Sequence, residues 1–378
     1  MEKFNHSYIN NPIKIALIGC GRISQKHLRA IDLQGSNAKL SVICDTNQER
    51  INKAKEFINN EFKDHKQVIK DLKIFNDFNK LIESVKQGLI EIDLVVLTTP
   101  SGLHPIQTIM AANSGINVCT EKPMATSWED GISMVKTCDE NKVKLFVVKQ
   151  NRFNPTLQLL KRQIDKGRFG RINLVTVNVF WQRPQSYYDQ DKWRGTWELD
   201  GGALMNQASH YVDLLIWLIG PVETISAETS TLGRNIEVED TAAISLKWEN
   251  GALGTLAVTM LTYPKNIEGS VTILGEKGTV KVGGISVNQI EKWDFEDKNN
   301  DDKLVDQVSY NSCKVYGEGH IPYYKNIIDT LKGQAKPMSD GNTGLKSLEL
   351  LVASYESAET GKKIKIPLEN NFNKKKEI

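Results

Sequence analysis

The 378-residue chain lacks the patterns that would mark a metalloprotein or a disulfide-stapled fold. Its five cysteines, Cys20, Cys44, Cys119, Cys138 and Cys313, form no CxxC pair and no cysteine–histidine cluster at zinc spacing. They read as reduced thiols, several of them small apolar fillers in strands, and no metal site is expected. No apolar run approaches the roughly 20 residues needed to cross a bilayer. Met1–Asn11 is polar without a signal-peptide core, so a cytoplasmic protein is expected. Charge of one sign is also missing: 48 Lys and Arg stand against 46 Asp and Glu, a net of +2. That balance supplies no global field for nucleic acid or an anionic membrane, and neither is expected as a partner. With 40% hydrophobic and 25% charged residues, the composition is that of a soluble globular protein. The length calls for two domains.

Up to about residue 150, short apolar strands alternate with amphipathic helices. Strands are expected at Ile13–Ile18, Leu40–Cys44, Ile92–Thr98, Ile116–Thr120 and Lys144–Val148, with Glu61–Lys70 as a charged surface insertion. Such repetition predicts a doubly wound parallel sheet. Beyond 150 the segments Ile172–Trp181, Val222–Ser230, Thr241–Trp248, Thr255–Leu261, Ser270–Leu274 and Thr279–Val282 read as strands. The turn signals between them, such as Glu249-Asn250-Gly251, argue for antiparallel hairpins. One strongly apolar helix is expected over Ala203–Ile219, and two more near Pro322–Leu331 and Gly344–Thr360. The expected division is a nucleotide-binding domain over 1–150, a mainly antiparallel open-sheet domain over 151–367 for substrate binding and oligomerisation, and a polar, lysine-rich tail over 368–378.

Gly19-Cys20-Gly21-Arg22-Ile23-Ser24 is a GxGxxG turn with serine in the last place, directly after the first strand. Glycine is wanted first for the tight turn and second so that backbone can approach a pyrophosphate; the following helix presents its N-terminus to the phosphates. Alone the motif is weak, and a purely structural turn is the alternative. Asp45 strengthens it, lying 24 residues after Gly21 (45 − 21) at the end of the next strand. A carboxylate there accepts from ribose hydroxyls and repels a 2′-phosphate, which favours NAD over NADP. Arg50, just beyond, is the one basic residue that could soften this preference.

Three further segments fall where such a sheet places its chemistry. In Thr98-Thr99-Pro100-Ser101-Gly102-Leu103-His104-Pro105, His104 either faces the cofactor or caps the helix opened by Pro105. In Glu121-Lys122-Pro123, Lys122 ends a strand; it is either a surface lysine or an ammonium that hydrogen-bonds an alcohol oxygen during hydride removal. On the apolar helix, Asn206, His210 and Asp213 stand at i, i+4 and i+7, a polar stripe expected to line a cleft. His210 is the natural proton acceptor. Arg152, Arg183 and Arg194 offer cations suited to carboxylate or diphosphate.

With the turn, Glu121-Lys122-Pro123 and Gly201-Gly202…His210-x-x-Asp213, the chain resembles the glucose–fructose oxidoreductase/inositol dehydrogenase (Gfo/Idh/MocA) family over residues 12 to 367. The resemblance implies that Lys122 and His210 flank the reacting carbon. It also implies a C-terminal sheet whose outer face builds a dimer, often within a tetramer. The cofactor is then expected along Gly19, Gly21, Arg22, Ile23, Asp45, Thr99, Pro100, Ser101, His104, Glu121 and Lys122. Substrate is expected at Lys122, Arg152, Arg183, Arg194, Asn206, Gln207 and His210. Trp181-Gln182-Arg183-Pro184-Gln185-Ser186-Tyr187-Tyr188, Trp193-Arg194-Gly195-Thr196-Trp197 and Lys265-Asn266-Ile267-Glu268-Gly269-Ser270 look like a narrower branch. Members of that branch oxidise UDP-N-acetylglucosaminuronate at C3 for surface polysaccharide such as lipopolysaccharide, and some regenerate NAD with 2-oxoglutarate. The family also holds inositol, polyol and free-sugar dehydrogenases, redox-neutral NAD-dependent glycosidases, and cofactor-binding regulators without turnover. Retention of both Lys122 and His210 argues against a regulator.

Overall fold

A computed structural model describes residues 11–311 and 319–368. The first ten residues, Cys313 and the lysine-rich stretch Glu369–Ile378 lie outside the described residues. Within them the chain forms two sheets and divides into two compact units, one of residues 11–153 with 319–345, the other of 154–311 with 346–368. The expected boundary at 150 is linear along the chain, whereas residues 319–345 pack with the first unit. The reason is packing: Tyr323, Tyr324, Ile327, Ile328 and Leu331 of helix His320–Leu331 are buried in one core with Ile13, Ile15, Leu17, Leu28 and Ile31. No helix among the described residues is long and apolar enough to cross a membrane.

In the first unit, β1 (Ile13–Ile18), β2 (Ala38–Cys44), β3 (Lys73–Phe75), β4 (Leu94–Leu97), β5 (Asn117–Thr120) and β6 (Leu145–Val147) form a parallel sheet in the order β3-β2-β1-β4-β5-β6. Near-continuous apolar strands such as Leu94-Val95-Val96-Leu97, all buried, are what a sheet covered on both faces requires. The insertion expected at Glu61–Lys70 instead contributes to helices Gln48–Glu61 and His65–Asp71, and leads into β3. That edge strand leaves Lys73 and Ile74 exposed, so it carries no apolar run to read. Strand order reverses between β1 and β4, and ligands of such sheets bind outside the carboxyl ends of the strands at that switch point.

In the second unit, β7 (Ile172–Phe180), β8 (Val222–Ser230), β9 (Thr241–Trp248), β10 (Leu253–Thr259), β11 (Glu268–Gly275), β12 (Gly278–Gly283), β13 (Gln289–Phe295) and β14 (Ile364–Lys365) run in the order β13-β12-β11-β7-β10-β9-β8-β14. Every pairing is antiparallel except β7 with β10. Along β9, Ala242, Ile244, Leu246 and Trp248 are buried while Ala243, Ser245 and Lys247 are exposed, the period-2 signature of a sheet packed on one face and open on the other. Burying each such aliphatic side chain is worth about 1.5–3 kcal/mol, so the strand's register is firmly set. The expected Ala203–Ile219 helix is divided: a π-helical turn spans Ala203–Gln207 and an α-helix spans Ser209–Ile219.

Candidate active site

β1 ends at Ile18, and the chain turns at Gly19 with φ +93, in the left-handed region. A β-carbon on Gly19 would lie 2.7 Å from the Thr98 carbonyl oxygen, so the turn admits no side chain. Gly21 differs: a β-carbon there would meet no protein atom within 4 Å. Its smallness answers no internal demand, which fits a cradle shaped for a ligand's close approach. Asp45, just past β2, closes the turn, its Oδ2 accepting the Cys20 amide at 2.7 Å and its Oδ1 the Asn47 amide at 2.8 Å. The Thr98 hydroxyl donates to the Ile18 carbonyl at 2.9 Å and also to that of Gly19. Ser24, buried at the start of helix Ser24–Asp32, donates to the Gly21 carbonyl at 2.6 Å, so the third small residue of the motif locks helix to turn. Arg22 is exposed and Ile23 half-buried at the helix entrance. The amides of that helix N-terminus and the two glycines fit a dinucleotide pyrophosphate.

After β4, Thr99 and Pro100 are half-buried and Ser101 is buried, leading into helix His104–Ala112. Of the two roles expected for His104, the helix cap is not what the structure shows. The ring makes no cap and is buried, with Nε2 3.0 Å from the Thr99 carbonyl and Nδ1 3.0 Å from the Pro123 carbonyl. Burial pushes its pKa below the ordinary value, against the pull of those carbonyls. His104 thus fastens the segment after β4 to the segment after β5. The Glu121 side chain turns into the unit's own core. Oε1 accepts from His27 Nε2 at 2.9 Å, Oε2 accepts the Lys122 amide at 3.1 Å, and His320 Nε2 lies 3.7 Å from Oε1. The second nitrogen of His27 meets the Tyr324 hydroxyl at 2.7 Å. Burial opposes the charge on Glu121, yet the two histidines overcome it and hold the carboxyl well below the usual carboxylate range. The backbone of Lys122 and Pro123 is consequently gripped by Glu121 on one side and His104 on the other, with the Lys122 side chain left half-buried. His27, His320 and Tyr324 come from distant stretches and carry no sequence signal.

The second unit holds the other candidate groups. The π-turn corrects the expected stripe, because Asn206 does not share the α-helical period of His210 and Asp213. The Asn206 amide donates to Asp200, whose other oxygen accepts the Gly195 amide at 2.7 Å. His210 and Asp213 are buried, and Asp213 accepts from the Ser347 hydroxyl at 2.9 Å. Beneath the turn lies Glu239, which sequence reasoning passed over. Burial pushes its pKa up from 4.5 to about 7, against the hydrogen bond from the Leu204 amide. A carboxyl whose folded pKa exceeds its unfolded one stabilises most below the unfolded value and loses that contribution as pH rises through the folded one. At about 1.4 kcal/mol per unit, the contribution of Glu239 shrinks by about 3 kcal/mol between roughly pH 4 and pH 8. Urea denaturation is therefore expected to show Glu239→Gln gaining on the wild type as pH rises through that window. A difference between the two that does not change with pH would contradict the assignment.

Arg183 and Arg194, expected to bind substrate, are brought together around Tyr187. The Arg194 guanidinium lies 4.6 Å from the Tyr187 ring centroid and 4.5 Å from that of Trp193, and donates to the Tyr187 hydroxyl at 2.8 Å. Arg183 lies 5.2 Å from the Trp181 centroid and 5.6 Å from that of Tyr187. Gln207 links the two, accepting from Arg183 Nε at 3.2 Å and donating to the Tyr187 hydroxyl at 3.2 Å. Asp191, 3.3 Å from Arg194, balances one of the two charges. Stacked, pre-ordered guanidiniums of this kind suit bidentate anion recognition. Arg152 belongs to the first unit, where it is buried and donates to the Met338 carbonyl at 3.0 Å.

A glycine turn and an acidic strand end at the switch point of a parallel sheet, together with a second unit whose helix Ser209–Ile219 carries His210, fit an NAD-dependent dehydrogenase acting on CH–OH groups. The chain belongs to the Gfo/Idh/MocA oxidoreductase family: residues 13–149 match its NAD-binding Rossmann fold and residues 161–366 its C-terminal alpha/beta domain. Among solved structures it is similar to the WlbA dehydrogenase from Bordetella pertussis in complex with NADH and UDP-GlcNAcA. The two are 53% identical with a TM-score of 0.88, covering 95% of this chain and 99% of that one. The WlbA enzyme from Chromobacterium violaceum, crystallised with the same two molecules, is 51% identical with a TM-score of 0.86, covering 95% and 97%. A curated relative, D-apiose dehydrogenase from Paraburkholderia graminis, is 24% identical over 93% of this chain and 89% of its own length.

Proposed function

We propose that the protein oxidises the C3 hydroxyl of a UDP-N-acetylhexosaminuronic acid, UDP-N-acetylglucosaminuronate, in the cytoplasmic synthesis of surface polysaccharide such as lipopolysaccharide. The observation that carries this reading is the Arg183–Tyr187–Arg194 shelf, matched to an anionic substrate. It occurs in a chain about half identical to two enzymes crystallised with NADH and UDP-GlcNAcA. Bound NAD supplies the hydride acceptor. His210 accepts the hydroxyl proton, and the Lys122 ammonium hydrogen-bonds the oxygen as it passes from alcohol to ketone. Asn206 and Gln207 orient the sugar from the π-turn. Glu121 and His104 hold Lys122 from behind, where they need not meet the cofactor themselves. The uncovered sheet face, with Ala243, Ser245 and Thr255 exposed, is the surface on which chains pair into a homotetramer, measurable by light scattering.

The test is a panel of UDP-N-acetylglucosaminuronate, UDP-N-acetylglucosamine, inositols and free aldoses such as apiose, followed by NADH absorbance with and without 2-oxoglutarate. Formation of NADH from the sugar-nucleotide acid, and its loss on adding 2-oxoglutarate, is expected. Preference for an inositol or free aldose would replace this reading with a polyol or free-sugar dehydrogenase, and glycoside cleavage without net NADH with a glycosidase. Arg194→Leu is expected to raise KM for the acid about 30-fold with kcat within about threefold, the size of a lost charged hydrogen bond. It should also narrow the preference over UDP-N-acetylglucosamine. An unchanged KM would detach Arg194 from the substrate.

A further inference from the structure

The π-turn that opens the His210 helix has no cap of its own, because the residue that precedes it, Gly202, has no side chain to accept from its first amides. Those amides are nevertheless all occupied. The Ala203 amide donates to the Glu239 carbonyl at 2.9 Å, the Leu204 amide to Glu239 Oε1 at 2.7 Å, and the Met205 amide to the Tyr355 hydroxyl at 3.1 Å. The Tyr355 hydroxyl in turn donates to Glu239 Oε1 at 3.0 Å. One buried carboxyl group and one half-buried phenol therefore do what an N-cap residue does elsewhere, from the loop before β9 and a helix distant in sequence. The arrangement requires the glycine, because a β-carbon on Gly202 would overlap the Glu239 carboxylate. It also explains why a carboxyl group is tolerated where only 3% of the residue is exposed. The positive end of the helix and two donors face it.

The residue beside it extends the same device. Asp240 accepts the Leu232 amide at 3.0 Å, the Gly233 amide at 2.9 Å and the Arg234 amide at 3.0 Å. Arg234 Nε then donates to the Arg183 carbonyl at 2.6 Å. The Glu239-Asp240 pair thus reaches the His210 helix with one side chain and the arginine shelf with the other.

We infer that Glu239, with Tyr355 as its partner, is a positioning residue for the reaction: it caps the π-turn and so fixes where His210, Asn206 and Gln207 point. This rests on the assignment of His210 as proton acceptor. A carboxylate that only filled space would influence folding and nothing else. One that aims His210 sets kcat, since displacing a catalytic group by about 1 Å costs about a hundredfold.

The test measures kcat, KM and NAD affinity, with UDP-N-acetylglucosaminuronate as substrate, for Glu239→Leu, Glu239→Gln, Tyr355→Phe and His210→Ala. Glu239→Leu is expected to lose about a hundredfold in kcat with a smaller rise in KM, while NAD affinity stays within about twofold of wild type. Glu239→Gln keeps an acceptor for Leu204 and Tyr355 and is expected to recover kcat to within about fivefold. Tyr355→Phe, nearly isosteric, is expected to lose about tenfold in kcat without losing its thermal transition. If Glu239→Leu does not fold, Tyr355→Phe decides alone. Wild-type kcat in Tyr355→Phe, or in a folded Glu239→Leu, beside an inactive His210→Ala would overturn the positioning role and leave the reaction assignment standing. Undiminished turnover in His210→Ala would overturn both.

Discussion

Replacing Lys122 by alanine is expected to lower kcat about a thousandfold while leaving the NAD dissociation constant within about threefold of wild type. The separation of the two effects follows from how the lysine is held. Its position is fixed through backbone, the Lys122 amide on Glu121 and the Pro123 carbonyl beside His104, and neither contact involves the Lys122 side chain. Truncation removes the ammonium and leaves both of these backbone contacts in place. In the proposed mechanism, what disappears is a donor to the oxygen that changes from hydroxyl to carbonyl, an interaction that strengthens as the reaction proceeds and so appears in kcat. His210→Ala is expected to have a comparable effect, because in the proposed mechanism the proton then has no acceptor at that point. Steady-state turnover and a fluorescence titration with NADH check both. Turnover near wild type in the two variants would remove Lys122 and His210 from the chemistry.

The second large effect lies at the turn. Gly19→Ala should weaken NAD binding more than a hundredfold and lower stability as well, since the new β-carbon would lie 2.7 Å from the Thr98 carbonyl oxygen at a φ of +93. Gly21→Ala provides the contrast. With no protein atom within 4 Å of the added carbon, the chain itself should tolerate it, with stability changed by less than about 1 kcal/mol. The NAD dissociation constant should still rise at least about tenfold, because the methyl group stands where backbone must approach the pyrophosphate. Thermal denaturation beside NAD titration separates the two glycines. Wild-type NAD affinity in Gly21→Ala would show that the turn does not cradle the dinucleotide as argued.

The parts of this protein that were legible in its sequence are those where one local rule dominates. β1 and β4 announce themselves because strands covered on both faces must be apolar throughout. Asp45 and Lys122 could be found because each directly follows a strand that can be located. β3 and β13 were not anticipated, since neither carries a fully buried stretch. Helix His320–Leu331 was visible as a helix, but its allegiance was not: packing against residues about 300 positions earlier leaves no local mark. The same limit hid the supports of the site. Glu121 reads as a polar group beside the cofactor until His27 and His320 show it turned inward. Glu239 lies in the loop before β9 among other acidic residues and looks like solvated surface; only the fold sets it under the π-turn. Helical spacing likewise placed Asn206 in line with His210, and the π-turn breaks that alignment.

The central claim, oxidation at C3 of a UDP-sugar acid, is tested most directly by a single-turnover experiment with excess enzyme, NAD and UDP-N-acetylglucosaminuronate carrying deuterium only at C3. NADH containing one deuterium and formed severalfold more slowly than from the unlabelled sugar is the predicted result. Unlabelled NADH, or no NADH from this sugar while a free polyol is oxidised, would contradict it.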